Sequence, residues 1–149
     1  MASVLIFSLA ALKAAGFQHH VPRPPRTVML AETKAGIQFY DNVYEPNVPD
    51  VKLTRSRDGQ TGVATFFFDE PSFFNVESED DIPKDFITAM RLVDEEGVLS
   101  TAKVNARFVN GQPKTIEARV EMYSPAEWDR FIRFMGRYAE ANGLAFNKA

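Results

Sequence analysis

Two groups of residues in this sequence have types and spacing that could support chemistry. The neighbouring carboxylates of Asp94–Glu96 could serve as a general acid and base, and the histidine pair His19-His20 could bind a metal ion. The carboxylates fall in a predicted turn, and nothing in the flanking sequence suggests a pocket around them. The histidines are the only two in the chain and have no third ligand near them. We therefore expect neither group to be a catalytic or metal site.

The motifs of the common enzyme and cofactor classes are absent. The sequence contains no cysteine, which excludes disulfides, thiolate metal sites and a cysteine nucleophile. It also contains no Gly-x-Ser-x-Gly, His-Glu-x-x-His, Walker A or dinucleotide-binding motif. The acidic stretch Glu77–Asp81 lacks the glycine and glutamate spacing of a calcium loop and is interpreted as a solvated loop. The prediction is a protein that is not an enzyme and has no cofactor.

The N-terminal segment differs in character from the rest of the chain. Ala2–Leu12 is an apolar run of 11 residues, too short for a membrane span of about 20 residues but suited to a signal peptide. Ala14–Gly16 supplies the small residues of a cleavage site, and the stretch from Phe17 to Ala31 is basic, acid-free and proline-rich. This order resembles the bipartite plastid-targeting presequences of algae with secondary plastids.

We accordingly predict a presequence over residues 1–31, signal-like in 1–16 and transit-like in 17–31, that is removed to leave a single domain over 32–149. The alternative is a frayed tail with one short amphipathic helix. Residues 1–31 hold three of the 17 basic residues and none of the 20 acidic ones, so residues 32–149 carry a formal charge of −6. A domain this acidic is a poor binder of nucleic acid, in which cationic contacts to phosphate dominate the affinity.

Hydrophobic periodicity predicts an α+β domain, with an antiparallel β-sheet of about four to five strands covered on one face by a C-terminal amphipathic helix. Asp58-Gly59 between two β-prone runs indicates a hairpin. The later strands form a meander, in which alternation directs Val104, Ala106 and Phe108 inward. The predicted strands are Val51–Arg57, Val63–Phe68, Phe86–Val93, Leu99–Val109 and Lys114–Tyr123, and Gly36–Tyr40 could form a short opening strand.

The helix is predicted from its capping residues and its periodicity. Ser124–Glu127 is a capping box with proline at the first helical position, and Gly143 is a helix stop. At 100° per residue, six apolar side chains share one stripe, and three arginines lie opposite it. The stripe consists of Trp128, Phe131, Ile132, Met135, Tyr138 and Ala139.

Surface charge supplies the candidate partner-binding residues. Three basic residues crowd into six positions of the hairpin, and three arginines line the exposed face of the helix. An arginine face opposite an apolar stripe is also what any solvated helix shows, so the hairpin group is the stronger candidate. Unpaired sheet edges could in addition accept an extended partner segment. The candidates are Lys52, Arg55, Arg57, Arg130, Arg133 and Arg137.

Three blocks of sequence resemble the photosystem II reaction centre protein 28 family. They are Pro49–Phe68 apart from Gln60; Met90–Gly97 together with Ala106–Pro113; and Ser124–Phe131 together with Gly143–Phe146. The resemblance runs from about Ile37 to Phe146, which is essentially the whole predicted domain. The N-terminal extension Met1–Ala31 is a departure from the cyanobacterial pattern and suggests a nuclear gene.

The resemblance implies an extrinsic, cofactor-free factor for the assembly or repair of photosystem II. Such a factor docks transiently on the stromal face of the immature complex as a peripheral protein of the plastid thylakoid membrane. It is a monomer on its own, it contacts the larger inner antenna protein and the reaction-centre subunits, and a partner segment extends its sheet. The alternatives are a small α+β ligand-binding domain, which needs an apolar pocket, and an RNA-binding sheet, which needs exposed aromatic residues.

Overall fold

The computed structural model describes residues 3–11, 33–74 and 87–148. These residues form ten strands, one α-helix, α1 (Pro125–Ala141), and a 3-10 helix at Ser72–Phe74. Within this part of the chain, no helix is both long and apolar enough to cross a bilayer. The strands are β1 (Ser3–Ala11), β2 (Gly36–Tyr40), β3 (Val43–Tyr44), β4 (Asp50–Arg55), β5 (Gly62–Asp69), β6 (Met90–Asp94), β7 (Gly97–Thr101), β8 (Val104–Val109), β9 (Gln112–Met122) and β10 (Leu144–Lys148).

The larger sheet has the order β10-β1-β4-β5-β9-β8, and every pair in it is antiparallel. The predicted hairpin is confirmed as β4 and β5, which pair from Asp50 opposite Phe67 to Arg55 opposite Gly62. Along β5, buried and half-buried residues alternate, so that Ala64, Phe66 and Phe68 enter the core. This alternation is the pattern of a strand packed on one face and less covered on the other.

The second sheet has the order β3-β2-β6-β7, again antiparallel throughout. The α+β class is confirmed, but the described strands are divided between two sheets rather than collected in one. The predicted strand Leu99–Val109 is in fact two strands, because the chain leaves β7 after Thr101 and enters β8 at Val104. The two residues between them carry the chain from one sheet to the other. The predicted strand Phe86–Val93 begins only at Met90, and Phe86 itself lies outside the described residues.

The helix forms where the capping signals place it. Ser124 is the N-cap and its Oγ accepts a hydrogen bond of 3.2 Å from the Glu127 N–H, as expected for a capping box. The helix contacts β6, β9 and β10, and Phe66 of β5 meets Phe131 edge-to-face with ring centroids 6.1 Å apart. Its buried residues are Trp128, Phe131, Phe134, Met135, Tyr138 and Ala139. Phe134, which was not predicted to be in the core, is therefore buried, whereas Ile132, which was, is half-buried. That the helix covers one whole face of the sheet stays a prediction.

Val104 and Ala106 lie opposite the buried residues Ala118 and Ile116, and so on the core face as predicted, but the burial predicted for β8 is wrong. Ala106 and Phe108 are exposed and Val104 is only half-buried, and the ring of Phe108 is 64% exposed. The strand is the outermost of the six-stranded sheet, and its register with β9 shifts between Arg107 and Phe108. In an edge strand that extends past the core, apolar residues stay exposed even when they alternate, because no opposing layer packs on them.

The apolar N-terminal run lies in the larger sheet. Strand β1 pairs with β4 from Ser3 opposite Arg55 to Ile6 opposite Lys52, and with β10 from Phe7 opposite Lys148 to Ala11 opposite Leu144. The transit-like part, residues 17–31, lies outside the described residues. Nothing in the structure tests whether residues 1–31 are removed, so that boundary stays a prediction.

Candidate docking surfaces

The turn of the β4–β5 hairpin is held by side-chain hydrogen bonds. The Ser56 hydroxyl donates to Asp58 Oδ1 at 2.6 Å, and the Gln60 N–H donates to the same oxygen at 3.0 Å. These hydrogen bonds, Ser56 first, lower the pKa of Asp58 below its ordinary value. Gly59 takes a φ of +70°, a conformation that glycine adopts without steric cost.

Arg55 is built into the base of this hairpin. Its Nε and Nη2 donate to the Gly59 carbonyl oxygen at 3.3 and 3.0 Å, and its guanidinium lies 4.8 Å from the ring centroid of Trp128. Such stacking of a guanidinium on an indole is a favourable cation–π contact. Gly62 lies against the same indole, where an added Cβ would stand 2.4 Å from a Trp128 ring atom. Arg55 and Gly62 therefore join the hairpin to the first turn of the helix.

Lys52 and Arg57 differ from Arg55 in being exposed. Lys52 points its Nζ over the Phe67 ring at 5.5 Å from the centroid, on the side of the hairpin opposite the core. Arg57 lies in the turn, and no hydrogen bond or ion pair joins its side chain to another residue that the structure describes. These two cations are the ones that a partner could reach without disturbing the hairpin.

The helix arginines face the β6–β7 turn, and Asp94 is the centre of that contact. The Asp94 side chain is fully buried, with 0% of its surface exposed. Arg130 binds it through both carboxylate oxygens, at 2.8 and 2.6 Å, and Arg137 donates to it at 3.0 Å. Burial raises the pKa of Asp94, but the hydrogen bonds from the two arginines outweigh burial and hold that pKa below the ordinary value.

Glu96 completes the cluster at the surface. Arg133 holds it in a two-pronged contact with both distances at 2.9 Å, and Arg137 forms a further hydrogen bond to Glu96 Oε2. These hydrogen bonds, that of Arg133 first, lower the pKa of Glu96 to about 2. Glu95 contributes one ion pair to Arg137 at 3.1 Å. Asp94 and Glu96, held ionised by the arginines, are poor proton donors at neutral pH, which argues against a general acid role for either of them.

The six predicted partner-binding residues thus separate into two groups. Arg130, Arg133 and Arg137 are engaged with carboxylates of their own chain, whereas Lys52 and Arg57 leave their charge at the surface and Arg55 positions the hairpin. Sequence reasoning missed the pairing of helix and turn, although a signal was present: three acids in one turn match three arginines spaced along one helix face. No partner is present to test the docking prediction for any of the six.

The sheet edges are a second kind of docking surface. β8 is the outer strand of the larger sheet and exposes Phe108 and Val109 beside the β8–β9 turn. At the other end the outer strand is β10, and β1 stands between it and β4. The unpaired backbone donors and acceptors of outer strands are the groups through which an extended segment joins a sheet.

A small apolar cleft lies near the 3-10 helix. Phe39, Tyr40, Val43 and Phe73 line it, and its volume is about 230 Å³. Glu45 closes one side, and its buried carboxylate accepts hydrogen bonds from the Ser72 N–H and hydroxyl at 3.0 and 2.8 Å. The cleft is smaller than the roughly 300–1,000 Å³ typical of ligand pockets, and its one carboxylate is already satisfied.

Comparison with known proteins identifies the family. The family model described as Psb28 protein matches residues 37–146, which is most of the chain. The chain belongs to the Psb28 family. It is 58% identical over 115 residues to the photosystem II reaction center Psb28 protein of Synechococcus elongatus, an alignment that covers 77% of this chain and 98% of that protein.

Other Psb28 relatives include a eukaryotic form named as chloroplastic. The photosystem II reaction center Psb28 protein of Guillardia theta is 56% identical over 77% of this chain and 97% of its own length. The chloroplastic PSB28 protein of Oryza sativa is 48% identical over 87% of this chain and 69% of its own length. The resemblance stated from the sequence blocks is thereby confirmed, and the Psb28 domain contains both the hairpin and the helix cluster.

Proposed function

We propose that this chain is a non-enzymatic assembly or repair factor of photosystem II that docks transiently on the immature complex. The observation that supports this most strongly is that the Psb28 match spans residues 37–146, and thus the hairpin, the helix and all or most of every described strand except β1. The names of its relatives associate them with the photosystem II reaction centre, and those of the rice and Arabidopsis relatives place them in chloroplasts. We extend both features to this chain.

The docking partners are the larger inner antenna protein and the stromal loops of the reaction-centre subunits. In this proposal the chain is a monomer on its own and binds the stromal side of the thylakoid membrane through its protein partners. A partner segment adds a strand to a sheet edge, so that main-chain hydrogen bonds supply affinity and flanking charges supply register.

The charges that flank the docking edge are those of Lys52 and Arg57. Both are exposed, and Lys52 belongs to β4, whose side away from β5 is bordered by β1, a strand outside the Psb28 match. Arg55 acts by positioning the hairpin. The helix arginines already neutralise Asp94–Glu96, so we assign them to holding the helix against the β6–β7 turn.

Affinity capture from cells recovering from light damage tests this function. A C-terminally tagged chain is purified from gently solubilised thylakoid membranes, and the co-purifying subunits are identified by mass spectrometry. We expect immature photosystem II lacking its late-added subunits. Recovery of the tagged chain free of photosystem II subunits would overturn the proposal.

The Arg57→Glu variant tests the docking surface within the same experiment. Reversal of this exposed charge should reduce the amount of captured photosystem II several-fold while the stability of the chain is unchanged. Lys34→Glu is the matched control, because Lys34 is also exposed and undergoes the same change of charge outside the hairpin. Equal capture by the two variants would remove the hairpin cations from the docking surface.

The second candidate function, a small ligand-binding domain, has one observation in its favour, the apolar cleft beside Phe39 and Phe73. Ser72→Trp would fill its rim. If photosystem II capture by this variant stayed at the wild-type level, the cleft would have no part in docking, whereas saturable binding of a hydrophobic probe dye, abolished by the same substitution, would support a ligand site.

A further inference from the structure

The position between β4 and β10 in the larger sheet is filled by the chain's own N-terminal segment. The first half of β1 pairs with β4 at Lys52–Arg55, and its second half pairs with β10 at Leu144–Lys148. Among the described strands, β10 has no other partner, and that side of β4 has none either. We call this position, bordered by the backbones of β4 and β10, the β4–β10 slot.

Without a strand in the slot, backbone groups of both β4 and β10 would be unpaired. If β1 left, the backbone N–H and C=O groups that face it from β4 and β10 would lose their hydrogen-bond partners together. Unpaired backbone groups on an edge strand form a template for another extended chain. Here two such edges border successive halves of one strand, so a single strand that enters the slot is bonded to β4 along its first half and to β10 along its second, as β1 is.

The occupant that fits can be described from β1 itself. The nine residues Ser3–Ala11 include no charged residue and consist of small and apolar residues with two serines. The slot therefore accepts an extended, uncharged and largely apolar segment. The same segment lies within residues 1–31, the part of the chain that we predict to be removed after import.

We propose that Ser3–Ala11 is an internal competitor that keeps the β4–β10 slot closed in the full-length chain, and that its removal opens the slot to a strand of the partner. The precursor would thus be unable to dock before it reaches its compartment. A tethered strand acts at an effective concentration on the order of millimolar, so it excludes a weaker free strand efficiently. The identity of the partner rests on the proposed function, but the closure of the slot does not.

A disulfide lock tests the closure, since the native chain has no cysteine that could compete. Ile6 stands opposite Lys52, so Ile6→Cys with Lys52→Cys should form a disulfide between β1 and β4. Ile6→Cys with Leu53→Cys is the matched control, because neighbouring strand residues point to opposite faces of the sheet. Equal disulfide yields in the two variants would contradict the register on which the proposal depends.

The binding probe is a fluorescent synthetic peptide with the sequence of residues 3–11 and added lysines for solubility. The open form of the chain carries proline at residues 5, 6, 8 and 9, and its control carries alanine there. Adjacent prolines remove the N–H groups that face either side. We expect the open form to bind the peptide at least tenfold more tightly than the oxidised locked form, with the alanine control between them.

Two results would overturn the proposal. One is equal affinity of the peptide for the open and locked forms; the other is a folded open form that does not bind, because β10 would then have closed onto β4. Thermal unfolding monitors the fold of each form. If the proline form does not fold, the locked variant before and after reduction gives the comparison, and binding must increase on reduction for the proposal to stand.

Thylakoid membranes that contain immature photosystem II separate this proposal from the proposed function. Retention of the open form and of the reduced, but not the oxidised, lock variant would support both, because Lys52 is replaced in both states of that variant. Equal retention of open and locked forms would overturn the internal competition and leave the docking function intact. If neither form were retained while the peptide bound only the open one, the slot closure would stand and the photosystem II function would fail.

Discussion

The helix arginines and the hairpin cations are alike in sequence but different in their surroundings. Arg130 meets the buried carboxylate of Asp94 with contacts of 2.6 and 2.8 Å and is 16% exposed. Arg57 lies exposed in its turn, and no ion pair joins it to a described residue. What distinguishes the two groups is the element that lies opposite each of them.

The comparison shows how much a charge depends on a neighbour distant in sequence. The β6–β7 turn brings three carboxylates to the helix face, so the arginines there form ion pairs that hold the helix against the turn. The β4–β5 hairpin offers Lys52 an aromatic ring and Arg57 no carboxylate among the described residues. The hairpin charge consequently remains exposed, and in the proposed function it steers the partner.

The largest expected effect is at Trp128, where the two regions meet. Trp128→Ala removes a ring that is 4% exposed and that supports both Arg55 and Gly62, so we expect a loss of about 3–5 kcal/mol in the free energy of unfolding. Urea denaturation measures it. Phe108→Ala is the matched control, since its ring is 64% exposed and its loss should cost under about 0.5 kcal/mol. Similar losses for both would mean that Trp128 is not a core residue.

Breaking the helix–turn cluster at its centre should come next. Asp94→Asn removes the charge that pairs with Arg130 and Arg137, and because both arginines reach solvent we expect a loss near the low end of the range for buried pairs, about 3 kcal/mol. Glu95→Gln is the control, as Glu95 is 63% exposed and makes one ion pair. If the two variants unfolded at the same urea concentration, the cluster would not stabilise the fold.

Two neighbouring arginines of the hairpin should differ in their effect on stability. Arg55→Glu loses the stacking on Trp128 and the bonds to the Gly59 carbonyl, at a cost of about 1–2 kcal/mol. Arg57→Glu should stay within about 0.5 kcal/mol of the wild type. Thermal and urea unfolding of both variants measure the difference. Equal destabilisation would show that Arg57 has a structural role that its exposure does not reveal.

The smallest effect is a pH dependence at Glu96. Its pKa is lowered from 4.5 to about 2, so the folded state favours the ionised form, and this contribution to stability is present above pH 4.5. It is lost as the pH falls through about 2, because the carboxylate is then protonated in both states. The difference in unfolding free energy between wild type and Glu96→Gln should therefore shrink over that range and decrease with added salt. Glu140→Gln is the exposed control. If its difference in unfolding free energy from the wild type changed with pH as much as that of Glu96→Gln, the effect would be general acid destabilisation and not a property of Glu96.

Local signals in the sequence were sufficient for several elements. Asp58-Gly59 placed the hairpin, and Ser124 and Gly143 bounded the helix, because turns and caps depend on a few adjacent residues. Periodicity also identified most of the helix core, although it chose Ile132 where the structure buries Phe134. At β8, alternation placed Val104 and Ala106 on the core face but did not predict that this part of the face is largely uncovered, since cover depends on how far the opposing layer extends. Nothing local marked the change of sheet after Thr101.

The site was less predictable than the fold, because it depends even more on contacts between residues that are distant in sequence. The types and positions of the six basic residues, the acidic domain and the Psb28 blocks are all properties of the sequence alone. Which arginines are paired, and that the apolar segment Ser3–Ala11 fills the position between β4 and β10, were decided by contacts between residues far apart in the chain. The sequence determines which groups are available, whereas only the tertiary structure brings Asp94 to Arg130 and β1 to β4, because both contacts form only when distant segments pack together.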